Sequence, residues 1–245
     1  MTGPRPRVAV VTGAAGGIGS ATCRQLSADG FAVGCLDRDG TAAAELAASL
    51  PEAIGVAADI SSADSVRQAA EQVRSALGSP WLLVNAAGVF SIQRLTELTE
   101  QEWDRILDIN LKGPFLTCRE FLPGMISAGD GCIVNVASTA GVRGGRQRAA
   151  YSAAKGGLVQ LTRSLAIDHG PDGVRVNCVC PGLIDTTMAD WIRTDPQALD
   201  RWAATVPARR IGTPAEIAAA ISFLASPAAG YLHGCVLMAD GGSTA

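Results

Sequence analysis

Tyr151 and Lys155 stand four residues apart, with Ser138 thirteen residues before the tyrosine. The Ala-rich sequence from Tyr151 through Leu165 predicts a helix, and residues four apart on a helix share a face. An ammonium beside a phenol favours its ionised form and lowers a pKa that is otherwise about 10. Tyr151 would then be a usable general acid/base near neutral pH. Ser138 follows Cys132 to Ala137, an apolar run that reads as a strand, whose end is a rigid place to hold a hydroxyl against a substrate oxygen. Helices carry Tyr-x-x-x-Lys by chance, with the Tyr exposed and the Lys solvated, so the pair gains meaning only from the rest of the chain.

The elements that must position these residues begin with Arg7 to Thr12, a short apolar run that reads as a buried parallel strand. Gly13-Ala14-Ala15-Gly16-Gly17-Ile18-Gly19 follows directly, then a helical pattern through Leu26. Strand, glycine turn and helix in that order make a dinucleotide site, where bare backbone and a helix N-terminus meet a pyrophosphate. A mere tight turn is the alternative. The next strand, Phe31 to Leu36, ends at Asp37, about 20 residues past the glycines, where an acidic residue binds ribose hydroxyls. Its carboxylate would repel a 2′-phosphate, which favours NAD over NADP, although Arg38 could meet a phosphate; a helix cap or turn is the other reading of Asp37. Further strands end at Asp59-Ile60, before a helix capped by Ser61 or Ser62, and at Asn85-Ala86-Ala87-Gly88. Alternating strands and helices predict an α/β fold with a doubly wound parallel sheet.

The 245 residues, nearly half apolar and with 28 glycines, suit one α/β domain spanning 1–245. A net charge of -3 gives no reason to expect nucleic acid or an acidic membrane surface as a partner. The polar, Pro-rich stretch Met1 to Arg7 leads into an apolar run too short for a signal peptide, and no run approaches the roughly 18 residues of a membrane span. A cytoplasmic protein is expected. The seven cysteines contain no Cys-x-x-Cys and the two histidines are far apart, so free buried thiols are expected and no metal.

Thr12-Gly13-x-x-x-Gly17-x-Gly19, Asn85-Ala86-Ala87-Gly88, Asn110, Ser138, Tyr151-x-x-x-Lys155 and Pro181-Gly182 occur together and in order. The chain thereby resembles the short-chain dehydrogenase/reductase family over essentially its whole length. The resemblance implies a Rossmann fold of about seven strands with helices on both faces. It implies a pyrophosphate loop of Thr12, Gly13, Gly17, Ile18 and Gly19, ribose binding by Asp37, and Asp59 and Ile60 at the adenine edge. Asn85, Ala86 and Gly88 match a cofactor-binding element in which Ala86 replaces a second Asn. Pro181, Gly182, Ile184 and Thr186 match the segment that packs on nicotinamide. Catalytically it implies that Ser138 positions the substrate oxygen and Tyr151 passes the proton. Lys155 would lower the Tyr151 pKa and bind the nicotinamide ribose, while Asn110, on a helix, holds a water in a proton relay.

The same resemblance makes Leu183 to Pro207 a mobile lid over the substrate pocket, where Trp191 walls the pocket or packs in a core. Arg143, Arg146 and Arg148 crowd the segment before Tyr151; Arg148 is the one that could face the cleft, solvated charge being the other reading. The expected activity is an NAD-dependent secondary alcohol dehydrogenase acting on a small cyclic or polar hydroxy compound. Its rivals are an NADPH-dependent 3-oxoacyl-[acyl-carrier-protein] reductase and a non-catalytic NAD-binding regulator. A homotetramer is implied, paired through Glu100 to Phe121 and Ala150 to His169, with a second contact through the last strand and tail.

Overall fold

A computed structural model describes residues 6–245; the part of the polar N-terminal stretch before Pro6 lies outside the described residues. Seven strands form one parallel sheet in the order β3-β2-β1-β4-β5-β6-β7. They are β1 (Val8–Thr12), β2 (Ala32–Asp37), β3 (Ala53–Ala57), β4 (Pro80–Asn85), β5 (Gly131–Val136), β6 (Val174–Pro181) and β7 (Val236–Ala239). The order reverses between β1 and β4, which opens a crevice at the strands' carboxyl ends.

Buried strands need apolar side chains on both faces, and β1 supplies them alternately. Ala9 and Val11 pack with Cys23 and Leu26 of α1 (Gly17–Ala28), Leu46 of α2 (Gly40–Ala48) and Ile217, Ile221 and Leu224 of α9 (Pro214–Ala225). Val8 and Val10 face the other layer, with Ala70 and Val73 of α3 (Ala63–Leu77) and Phe121 and Met125 of α5 (Gly113–Ala128). The remaining helices are α4 (Glu100–Leu107), α6 (Ala149–His169), α7 (Asp190–Arg193) and α8 (Pro196–Thr205). Between α4 and α5 the helix widens into a π turn over Asp108–Lys112. None of the described helices is long and apolar enough to cross a membrane.

A buried polar chain ties the sheet to its helices. Asn85 and Asn135 are partners across β4 and β5. The Asn85 amide donates to Asn135 Oδ1 at 2.9 Å and accepts from the Thr117 hydroxyl at 2.6 Å, and Asn135 donates to Thr162 of α6 at 2.9 Å. All four side chains are buried, so each bond spares its partners an unpaired polar group in the core. This fixes α5 and α6 on the sheet below the crevice.

Candidate active site

The crevice begins at the turn after β1. Gly13 has φ 67°, and a Cβ there would lie 2.6 Å from the Ala87 Cα, so only glycine suits this position. The Thr12 hydroxyl accepts from the Ala87 N–H at 3.2 Å and holds the end of β4 against the same turn. Helix α1 then starts with no side-chain cap and no acidic residue in its first turn, leaving its positive end to an external anion. Gly13, Gly17, Ile18 and Gly19 form one wall of a groove whose other side is Ala86, Ala87 and Gly88.

Asp37 stands on the rim of this groove with Arg38. Its Oδ2 accepts from the Ala15 N–H at 2.9 Å and its Oδ1 from the Asp39 N–H at 3.0 Å, which locks the carboxylate facing the turn. The cap of α2 is a different residue, Asp39, whose Oδ1 accepts from the Ala42 N–H. Asp59 and Ile60 line the far end. The Ser61 hydroxyl and amide, both donating to Asp59, hold its carboxyl below the usual range. A bare glycine wall, an unneutralised helix terminus and a fixed carboxylate at the far rim together suit a dinucleotide.

Two of the expected site residues have their side chains beneath the groove and not on its wall. Asn85 does not line the groove: its side chain is 1% exposed and faces Thr117 and Asn135, so its part is to hold the core beneath. Thr12 is likewise buried and reaches the groove only through Ala87.

The groove runs on into a second pocket, with which it shares Ile18, Ala86, Gly88, Thr186 and Met188. Ser138, Tyr151 and Lys155 all line this part, together with Pro181, Gly182 and Ile184. Ser138 lies just past β5, in extended backbone, and its Oγ accepts from the Ala140 N–H at 3.1 Å. Tyr151 and Lys155 lie on the first turns of α6, both buried. The Lys155 ammonium donates to the Val136 carbonyl at 2.8 Å and lies 5.8 Å from the centre of the Tyr151 ring.

The electrostatics depart from the sequence expectation. Burial raises the Tyr151 phenol above its ordinary range, while the Ser138 hydroxyl and the Arg148 guanidinium pull it back. Lys155 does not offset this rise: burial disfavours its charged form too, and its ammonium donates to a backbone carbonyl and not to the phenol. Burial pushes the Lys155 pKa down from 10.5 to about 8.

Asn110 lies in the π turn rather than in a regular helix. Its amide donates to the carbonyls of Val89 and Ile106, both at 2.9 Å, and Oδ1 accepts from the Val89 N–H at 3.3 Å. A Cβ on Gly88 would come within 2.9 Å of Asn110 Oδ1 and 3.5 Å of Lys155 Nζ. The bare Gly88 backbone is what lets these two side chains flank the crevice floor.

The segment after β6 folds over the pocket as a short 3₁₀ turn, α7 and α8, and brings Met188, Trp191 and Trp202 onto it. Trp191 lines the pocket, 6.3 Å from the Phe90 ring and 43% exposed, so it is no core residue. Arg148 also reaches the pocket, and so does Arg143. Phe90, Trp202, Arg143 and Ser243 carry no motif. The one signal for Phe90 is that it is the second residue after a run of small residues closing a strand.

The family model described as enoyl-(acyl carrier protein) reductase matches residues 13–244. The chain is 37% identical to a 2-(R)-hydroxypropyl-CoM dehydrogenase of Xanthobacter autotrophicus, covering 98% of this chain and 99% of that one. It is 39% identical to a meso-2,3-butanediol dehydrogenase of Serratia marcescens, with 98% and 95% covered. Among solved structures, that of gox2181 superposes with a TM-score of 0.95 at 34% identity, covering 98% and 96%.

Proposed function

The chain belongs to the short-chain dehydrogenase/reductase family and is a hydride-transfer oxidoreductase, and from that premise we propose that it interconverts a small polar or cyclic secondary alcohol and its ketone with NAD(H). The observation that carries this reading is the joining of two pockets: the glycine groove opens directly onto Ser138, Tyr151 and Lys155. A nicotinamide bound across that junction supplies the hydride acceptor for oxidation and the donor for reduction.

The chain's own residues do the rest. The Ser138 hydroxyl holds the alcohol oxygen at the end of β5. Tyr151 takes the hydroxyl proton as the carbinol carbon loses its hydride, leaving a ketone; in reduction it returns the proton to the new alkoxide. Lys155 and Asn110 flank the floor, where they anchor the nicotinamide ribose and connect Tyr151 to solvent. The segment 183–207 is the lid, and the whole of 1–245 acts as one domain. Asp37 is the basis for NAD over NADP, since a fixed carboxylate accepts hydroxyl bonds and repels a 2′-phosphate.

A cytoplasmic homotetramer is part of the same proposal. Phe115 on α5, Ile167 on α6 and Tyr231 ahead of β7 are exposed apolar side chains on the elements such pairing would use. Light scattering at micromolar concentration reads the assembly, and a monomer refutes it.

A screen of secondary alcohols and ketones, run with each cofactor and followed at the nicotinamide absorbance, tests the activity. Turnover with NAD on a polyol or cyclic alcohol supports it. A strong preference for NADPH with an acyl-carrier ketone moves the assignment to a carrier-protein reductase. NADH binding without any turnover moves it to a regulator.

A further inference from the structure

The substrate end of the cleft is cationic, and among the described residues the acidic group that faces Arg148 there is the Tyr151 phenol and not a carboxylate. Arg143, Arg148 and Lys155 line it, and among the described residues its lining includes no aspartate or glutamate. Arg148 is half-buried there, not solvated. Its guanidinium carbon lies 5.2 Å from the centre of the Phe90 ring and 5.4 Å from that of Trp191, a cradle of aromatic faces. Such faces stabilise a cation and hold its plane, but they leave its hydrogen-bond donors unused. The nearby Arg193 behaves differently: it is paired at 3.0 Å with both Asp185 and Asp190.

The backbone supports this placement of Arg148. Gln147, just before it, has φ 58°, a left-handed conformation that a non-glycine residue rarely adopts. The Gln93 N–H donates to the Gln147 carbonyl at 2.9 Å, and Gln93 bridges to Arg148, so the turn is tied to the segment after β4 that carries Phe90. Burial lowers the Arg148 pKa, the Tyr151 phenol opposes that, and the nearby Arg143 lowers it further. A half-desolvated guanidinium beside a like charge calls for an anion.

Resting on the hydride-transfer reading above, we propose that the secondary alcohol this chain handles carries an anionic group, a carboxylate, sulfonate or phosphate, held by Arg148 with Arg143 at the mouth. The spacing limits the substrate's size. The Phe90 ring that carries the guanidinium sits edge-on to the Tyr151 ring, centres 5.0 Å apart, so the anion lies only a few bonds from the reacting carbon. Arg148 is thus a specificity residue: it selects which hydroxy compound reaches Tyr151, and its planar fork suits a two-oxygen face better than a lysine would.

The test compares charged and uncharged probes of one shape. Butanoate, butanesulfonate and butyl phosphate, with neutral butanamide, are titrated by calorimetry into NAD-saturated protein. Separately, 3-hydroxybutanoate and its sulfonate and phosphate analogues are compared with methyl 3-hydroxybutanoate for kcat/KM. The wild type is expected to bind at least one anion over butanamide and to oxidise the matching hydroxy anion over the ester. The anion that wins identifies the head group. Arg148→Gln should lower anion binding and the charged-to-neutral ratio by about ten- to a hundredfold, the range for a charge-assisted hydrogen bond. Arg148→Lys should keep part of both, and Arg146→Gln, an exposed arginine outside the cleft, should keep all. The proposal is overturned if no anion binds better than butanamide, or if Arg148→Gln weakens charged and neutral probes alike. Turnover of neutral alcohols without anion binding would sink it and leave the hydride reading standing. Anion binding through Arg148 with none of the matching hydroxy anions oxidised, while neutral alcohols turn over, would also sink it, because the anion held would not be the substrate's.

Discussion

On the glycine side of the cleft the surface is backbone: a left-handed Gly13 against Ala87, the uncapped start of α1, and a carboxylate held by two peptide N–H groups. On the alcohol side the surface is side chain: Phe90, Arg148, Trp191, Trp202 and Ser243, brought in from four separate parts of the chain. Backbone walls at adjacent strand ends hold one shape, the same for every ligand with that pyrophosphate and ribose. Side-chain walls on loops and short helices can be altered singly without disturbing the sheet. The comparison teaches that the shared chemistry of a cofactor is read by main chain and the particular chemistry of a substrate by side chains.

Changes at the junction should separate the two sides most sharply. Tyr151→Phe removes only the phenol oxygen and should cut turnover by about 10²–10⁴-fold, the range for losing a general acid/base. NADH affinity, read by fluorescence titration, should stay within a few-fold. More than a few per cent residual activity would assign the proton to another group.

Lys155 tests what burial costs at the same junction. Its pKa falls from 10.5 to about 8 in the folded protein, so the unfolded chain binds more protons between those values. Stability therefore rises with pH across that window, and below pH 8 the full penalty applies. Lys155→Met removes the charge and, after the lost bond to the Val136 carbonyl, should stabilise the protein at pH 7 by about 2–3 kcal/mol while abolishing activity. Urea unfolding at pH 7 and pH 10 checks it: the gain should shrink toward the higher pH. A gain equal at both would mean that packing, not charge, sets it.

On the backbone-built side, Asp37→Ala should narrow the NAD over NADP preference by about tenfold or more, mainly by improving NADP binding. The specificity constant for each cofactor reads this, and an unchanged ratio would mean that Asp37 does not meet the ribose. The smallest effect belongs to the side-chain wall. Trp202→Ala should raise KM for the alcohol roughly two- to tenfold, the contribution of one aromatic contact, without moving NADH affinity. If NADH affinity moved as well, the two sides would not be separable.

The crevice floor around Asn110 is harder to read from sequence than the groove. Asp108-Ile109-Asn110-Leu111-Lys112 has the composition of an ordinary helix, and nothing in it announces a π turn. Asn85 matched a cofactor element by position, yet its amide is consumed by Thr117 and Asn135, residues 32 and 50 positions away. The lowered tyrosine pKa followed from Lys155 sharing its helix face. In the folded protein, burial outweighs that proximity and the ammonium turns to Val136.

The sequence by itself determined the sheet and the glycine turn, because both rest on local rules: apolar runs of strand length, glycine where a side chain cannot go, and an acid at a fixed distance from it. It also placed Tyr151 and Lys155 on one helix face, since a helical period needs no tertiary partner. Only the tertiary structure decided that Phe90 and Trp191 meet around Arg148, that among the described residues the substrate pocket is lined by Arg143, Arg148 and Lys155 with no carboxylate, and that the Asn85 side chain faces the core. Those outcomes depend on which distant segments are brought together, and on how much water they exclude, which no spacing along the chain encodes.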